Sequence, residues 1–299
     1  MNLLDILKSL FVTKIPENTG VILGQRETDY VVGVSSPIVY KERLKTGDWT
    51  PYAFDKERQS SNFVNNGVDI NDSMACVSHS LVNSIESQIY FLTGKQINYS
   101  KRWLAKMSGT MLIGNYMYKV ADAVRQYGLV LEEDYPAPEG NWTFKEYHKD
   151  IPEPLYSQLI EKGKKWLKDF DFQYEFLQIT DPNIDFHLKH APVQIIRANP
   201  NHAVCGIFSP GQLVNYLDSY PDFFRQVNYP DILAAMKGIV TPKTLDAGFV
   251  KWNDSPEVWF MAKLDSMDRL NKFKNTFNTF DSDYTIKEGI TTLPTKKPF

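Results

Sequence analysis

The chain has 299 residues, 42% hydrophobic and 13% aromatic, enough apolar material for a large packed core, which excludes disorder as its overall state. Its 33 basic and 36 acidic side chains leave a formal charge of −3, so no global electrostatic footprint marks it for nucleic acid or an anionic membrane. No apolar run approaches the roughly 18 residues a spanning helix needs, and two cysteines cannot build a disulfide framework.

At the N-terminus, Leu3, Leu4, Ile6, Leu7, Leu10 and Phe11 share a face of a short amphipathic helix. Asp5 and Lys8 interrupt the apolar run and no small-residue cleavage site follows, so a secretory signal is not expected and the sequence reads as cytoplasmic or assembly-associated. Residues 12 to about 65 read as an extended lead-in with a β-like run at Tyr30–Val34. A helix is expected from Ser73 as cap to Gly94 as stop, with Val77, Leu81, Ile85, Ile89 and Leu92 at helical spacing. Further helices fit Tyr116–Tyr127, ending at Gly128, and Leu155–Phe170. Strand-like runs follow at Pro192–Ile196, Ala203–Phe208 and Gln212–Leu217, with another at Glu257–Met261 before a polar tail. Helices first and strands later predict an α+β fold rather than alternating βαβ units. No phosphate loop, CxxC or HExxH signature and no internal repeat is present.

Cys76 falls in the first turn of the longest helix, where the dipole favours a thiolate nucleophile. His202 stands where a loop enters a strand, a rigid place to hold a general base. Asp218 closes the next strand. A turn at Ser209-Pro210-Gly211 would bring the two side by side, and a carboxylate there fixes the imidazole tautomer and stabilises its charged form. Other residues read as structure. Cys205 suits core packing, and His79, one turn past Cys76, lacks an orienting third group. His187 and His190 lack a third metal ligand, and Glu132-Glu133 and Asp169/Asp171 read as solvated surface. The glycosylation sequons at Asn98 and Asn141 carry no weight without a secretion signal.

With their neighbours, these three positions resemble the papain-like cysteine peptidases. In that family a Cys at a helix start is followed roughly 130–150 residues later by His and an amide partner, and His202 and Asp218 follow Cys76 at about that spacing. Val77-Ser78-His79-Ser80 stands where the family usually has Trp-Ala-Phe-Ser. His202-Ala203-Val204 matches its His-Ala-Val, and Asp218-Ser219-Tyr220 is similar to its Asn-Ser-Trp. Gly114–Pro136 resembles the segment that follows the family's substrate-binding glycines, and Leu188–Val193 the Pro-Val strand before the catalytic His. The resemblance covers about residues 55 to 240.

It implies a two-lobed fold, a helical lobe with Cys76 and an antiparallel β lobe with His202 and Asp218, flanked by extensions. Residues 1–55 would be an N-terminal extension, acting as a pro-segment or a docking arm, 56–240 the catalytic domain and 241–299 a C-terminal appendage. It also implies hydrolysis of a peptide or protein through a thioester, with no metal or organic cofactor. The family's oxyanion Gln falls at Ile70, which cannot donate, so Asn71 beside it and the Cys76 N–H are the expected donors. Gly114, Asn115, Tyr116, Met117 and Asn201 are the expected substrate-binding residues. Two alternatives remain: a papain-fold amidase or acyltransferase with the same triad, and an inactive papain-like module of a larger assembly such as a phage virion. In the latter, the N-terminal helix and the aromatic-rich 252–280 segment would dock onto partners.

Overall fold

A computed structural model describes residues 20–26, 28–29, 31, 42–53, 72–178, 183–220 and 223–243, together with the backbone of four short strands. The N-terminal helix, the 252–258 segment, the tail and Asn71 lie outside the described residues. Strands β1 (Phe63–Asn65) and β2 (Val68–Ile70) form an antiparallel pair. The helices α1 (Cys76–Thr93), α2 (Lys101–Met107), α3 (Met117–Tyr127), α4 (Phe144–Tyr147) and α5 (Leu155–Asp169) come next. Strand β3 (Phe170–Phe176), helix α6 (Ile184–Leu188) and strands β4 (Val193–Arg197), β5 (His202–Phe208), β6 (Leu213–Leu217), β7 (Phe224–Asn228) and β8 (Ile232–Pro242) complete the main body. A last antiparallel pair joins β9 (Phe249–Lys251) to β10 (Trp259–Met261).

Six strands form one antiparallel sheet in the order β3-β8-β4-β5-β6-β7. With α1–α5 before it in the chain and, of the α-helices, only the short α6 between its strands, this is the α+β architecture that the element order predicts. Among the described residues no helix is long and apolar enough to cross a membrane.

Helix α1 is buried almost all round rather than on one stripe, with Ser78, His79, Ser80, Ser84 and Gln88 inside along with Leu81, Ile85 and Ile89. Buried polar groups are mostly paired, and here the pairing of Ser80, Ser84 and Gln88 stitches helix to sheet. Gln194 Nε2 on β4 donates to Val77 O and Ser80 Oγ, both at 2.7 Å. Gln88 Nε2 donates to Gly238 O at 2.9 Å, and Gln88 Oε1 accepts from Val240 N on β8 at 3.0 Å. Ser84 Oγ donates to Pro192 O at 3.0 Å. These bonds fix α1 against β4 and β8, the Gln194 pair doing so at its start beside Cys76, and β4 pairs in turn with β5, which carries His202. Gly94 ends α1 in the left-handed conformation (φ 68°) as expected, but Ala75 and not Ser73 precedes its first turn. The Ser73 hydroxyl instead accepts from Ala75 N within the preceding loop.

One apolar core lies between α1, α3, α5 and β3, the other on the opposite side of the sheet. The second core takes Leu44, Trp49 and Tyr52 from the lead-in, with Trp49 fully buried and edge-on to Phe91. The lead-in is thus partly interior structure of the sheet lobe.

Candidate active site

Strands β5 and β6 pair with Cys205 opposite Leu217 and Gly206 opposite Tyr216. Carrying this register one step further sets Val204 opposite Asp218, so His202 and Asp218 are diagonal neighbours on one face, within reach of a long side chain. His202 Nε2 lies 2.7 Å from Asp218 Oδ1, with both side chains buried. The same carboxylate oxygen accepts from Tyr220 N at 3.1 Å. The Tyr220 ring covers the imidazole with centroids 5.0 Å apart, and Arg225 stands 3.9 Å from Asp218 Oδ2. With Nε2 taken, the other ring nitrogen is left for Cys76, whose side chain His202 also hydrogen-bonds. The structure therefore brings Cys76, His202 and Asp218 into one hydrogen-bonded line.

Burial alone would lower the His202 pKa, but its hydrogen bonds to Asp218 and Cys76 outweigh it and hold it at about 9. Burial alone would raise Asp218, but the bond and charge of His202 pull it below the ordinary carboxylate value. Both shifts favour an imidazolium beside a carboxylate.

His79 behaves in the opposite way. Fully buried one turn along α1, with neither ring nitrogen hydrogen-bonded, it is pushed down to about 3, first by burial and then by the Lys101 and His202 charges. Cys205 is buried in the sheet core, and burial pushes its thiol up. His187 and His190 sit beside Lys237, whose Nζ is 3.3 Å from His187 Nδ1 and 2.7 Å from Glu175 Oε1. Burial and the Lys237 charge push them down to about 3 and about 4.

Residues 20–26 form a strap that passes beside Cys76. A Cβ placed on Gly20 (φ +28°) would lie 2.7 Å from Cys76 Sγ, and one on Gly114 (φ +94°) would lie 2.1 Å from Gly20 C, so two glycines permit this close approach. Val21 pairs parallel with Asn115; Ile22 N donates to Asn115 O at 2.8 Å and Asn115 N to Gly20 O at 3.3 Å. Farther along, Arg26 bonds Asp122 and Asp29, both at 2.8 Å, and Tyr174 Oη at 2.6 Å, with its guanidinium over the Tyr118 ring. Cys76 is consequently only 3% exposed.

The expected substrate-binding residues divide by role. Gly114 and Asn115 offer backbone to the strap, while the Asn115 side chain is an internal anchor, donating to Ser108 Oγ at 2.9 Å and Thr110 Oγ1 at 3.2 Å. Tyr116 lies against Gly24, Met117 is buried in the helical core near Val21, and Asn201 is half-buried in the turn before His202. Tyr220 and Gly20 escaped the sequence reading as site residues. The aromatic position after Asp218-Ser219 could have signalled Tyr220, whereas nothing local marks Gly20.

Neither a family model nor a curated relative matches the sequence. Among solved structures, the chain is similar to the digestive procathepsin L 3 of Tenebrio molitor larval midgut (14% identity, TM-score 0.46, covering 72% of this chain and 75% of that one). It is also similar to xylellain, a cysteine protease from Xylella fastidiosa (11%, TM-score 0.46, 75% and 99%). A third is the proform of the ragweed pollen allergen Amb a 11 cysteine protease (14%, TM-score 0.39), where the match covers 64% of this chain and spans 65% of that one. The chain is similar in fold to papain-like cysteine proteases.

Proposed function

We propose that the chain is a papain-like cysteine peptidase that hydrolyses peptide bonds through Cys76, His202 and Asp218, and that the strap at residues 20–26 holds it latent. The observation that carries this reading is the buried line of thiol, imidazole and carboxylate, with 2.7 Å between His202 and Asp218. An imidazole held between a thiol and a carboxylate is built to carry positive charge and pass a proton.

In this reading Cys76 pairs as thiolate with the His202 imidazolium, and its sulfur adds to the substrate carbonyl carbon. The oxygen that becomes negative receives hydrogen bonds from Asn71 and from the Cys76 N–H, which as the first helical N–H has no partner within α1. His202 gives its proton to the leaving nitrogen as the C–N bond breaks, leaving a thioester. Water then adds with its proton going to His202, the C–S bond breaks, and the acid departs. Asp218 holds the ring in one tautomer throughout.

The strap favours latency over cleavage of its own chain, because the Gly20 carbonyl is bonded to Asn115 N and so is not offered to the oxyanion donors. The covered sulfur also favours the second reading, a non-catalytic module. Hydrolysis of peptide substrates by the full chain and by a Gly20→Val chain, with products compared with and without added amine, separates the readings. Acid product from the strap-displaced chain supports the peptidase, amine adducts support an acyltransferase, and neither product supports the module.

A further inference from the structure

The Asp218 carboxylate is engaged unevenly. Among the described residues, His202 Nε2 at 2.7 Å and Tyr220 N at 3.1 Å both meet Oδ1, whereas Oδ2 is buried with no hydrogen-bond partner. Keeping a buried carboxylate ionised is costly unless nearby charge compensates it. A cation does face the second oxygen. Arg225 Nη1 stands 3.9 Å from Oδ2, the Arg225 side chain being 38% exposed and that of Asp218 0%.

The backbone fixes this placement. Tyr216 lies opposite Arg225 in the β6–β7 pair, and Leu217 opposite Phe224. Asp218 N donates to Phe223 O at 2.7 Å, which carries the pairing one step beyond both strands. Residues two apart share a face of a strand, so Arg225 projects on the same side as Tyr216 and Asp218. At 3.9 Å the guanidinium is beyond hydrogen-bond range. It therefore acts on the carboxylate by charge and leaves Oδ1 to the imidazole.

We propose that Arg225 is a positioning residue of the triad, a fixed positive charge that offsets Asp218 from its second oxygen and keeps the His202 proton transferable. The inference rests on the peptidase reading and adds the residue that tunes the histidine of that site. Asp218 and Cys76 both hold a proton on His202, and one held too tightly is not given up to a leaving nitrogen. Arg225 works against that excess. Among the described residues, the other groups facing the pair are Cys76 and His79 from α1, Arg197 from β4, Tyr216 from β6 and Tyr220 beyond it. Arg197 is the second cation of this set, and its Nη1 donates to Asn199 O at 3.4 Å in its own turn.

Histidine-selective NMR of the full chain tests this by following the ionisation of His202, whose resonance is identified by its loss in His202→Ala. The midpoint is expected to rise by about half a pH unit in Arg225→Gln, as for one partly screened charge. It should return to the wild-type value in Arg225→Lys, since a point charge and not a bidentate contact is required. A merely structural role gives the opposite sign, because a loosened Asp218 lowers the midpoint. An unchanged or lowered midpoint in Arg225→Gln, or no restoration by Lys, would overturn the inference. A raised midpoint together with Cys76 alkylation that His202→Ala leaves unchanged would instead sink the peptidase reading, and this role with it.

Discussion

Gly20 lies against Cys76 so closely that a single added carbon would sit 2.7 Å from the sulfur. Its φ of +28° is also one that side-chain-bearing residues rarely adopt. Gly20→Val should therefore expel the strap, with Val21 as the one core side chain among the described residues that leaves with it. Alkylation of Cys76 in the full chain should accelerate by about tenfold or more, since about 1.4 kcal/mol of lost strap affinity suffices for that. Arg26→Ala, which removes the contacts to Asp122, Asp29 and Tyr174, should act in the same direction. Rates equal to wild type in both variants would mean that the strap does not guard the sulfur.

Asp218 should set the alkaline limit. With the carboxylate present His202 titrates at about 9, so the Cys76–His202 pair should persist to that pH. Asp218→Asn removes the charge and should draw the alkaline limb of the labelling profile down by about one pH unit or more. The same group has a folded pKa above its unfolded value of about 6.5. Its contribution to stability is therefore complete below pH 6.5 and lost as pH rises through 9. A profile for Asp218→Asn that overlays wild type would remove this role.

Acid should destabilise the protein through different histidines. His79 and His187 near 3 and His190 near 4 are neutral when folded, whereas the unfolded chain takes up their protons below about 6.5. The unfolded state thus binds more protons in this window, and stability falls as pH drops from 6.5 towards 3. His79→Phe, which removes a buried ring with no hydrogen-bond partner, should raise stability by about 1 kcal/mol or more at pH 7 and by more at pH 5. Melting curves at both values check this; a lower melting temperature for the variant would show that His79 has a partner essential to the fold.

Trp49 is fully buried in the sheet core and donates to Leu188 O. Trp49→Ala should cost about 3–5 kcal/mol. A chain starting at Glu42 should accordingly fold and label faster at Cys76, whereas one starting at residue 56 should not reach the native state. Circular dichroism and thermal melts of both chains distinguish these outcomes.

The site was legible where chemistry coincides with an element boundary. Cys76 opens α1 and His202 opens β5, and those positions stand out in sequence because loop residues give way to a periodic run. Asp218 followed once a turn was placed at Ser209–Gly211. By contrast, β3 was missed although Phe170, Phe172, Tyr174 and Phe176 alternate along it, because α5 runs into it without a loop. The helical period of α1 pointed to one buried stripe, yet nearly every face is buried, Ser80, Ser84 and Gln88 being paired by contacts more than a hundred residues apart in the chain. The strap left no mark because it is held largely by backbone pairing with Asn115, which has no residue signature. Trp49 was illegible for a related reason: with Tyr52 it stands in a short segment without helical or strand periodicity.

The central claim is that His202 activates Cys76. It is tested most directly by the second-order rate of iodoacetamide labelling of Cys76 between pH 5 and 9.5 in Gly20→Val chains with and without His202→Ala, with Cys205→Ala as control. The account predicts fast labelling at pH 5 to 7 that survives Cys205→Ala and falls by about a hundredfold or more in His202→Ala, in line with general-base contributions of 10²–10⁴. Labelling that rises only as an ordinary thiol ionises, at the same rate with or without the His202 imidazole, would contradict it.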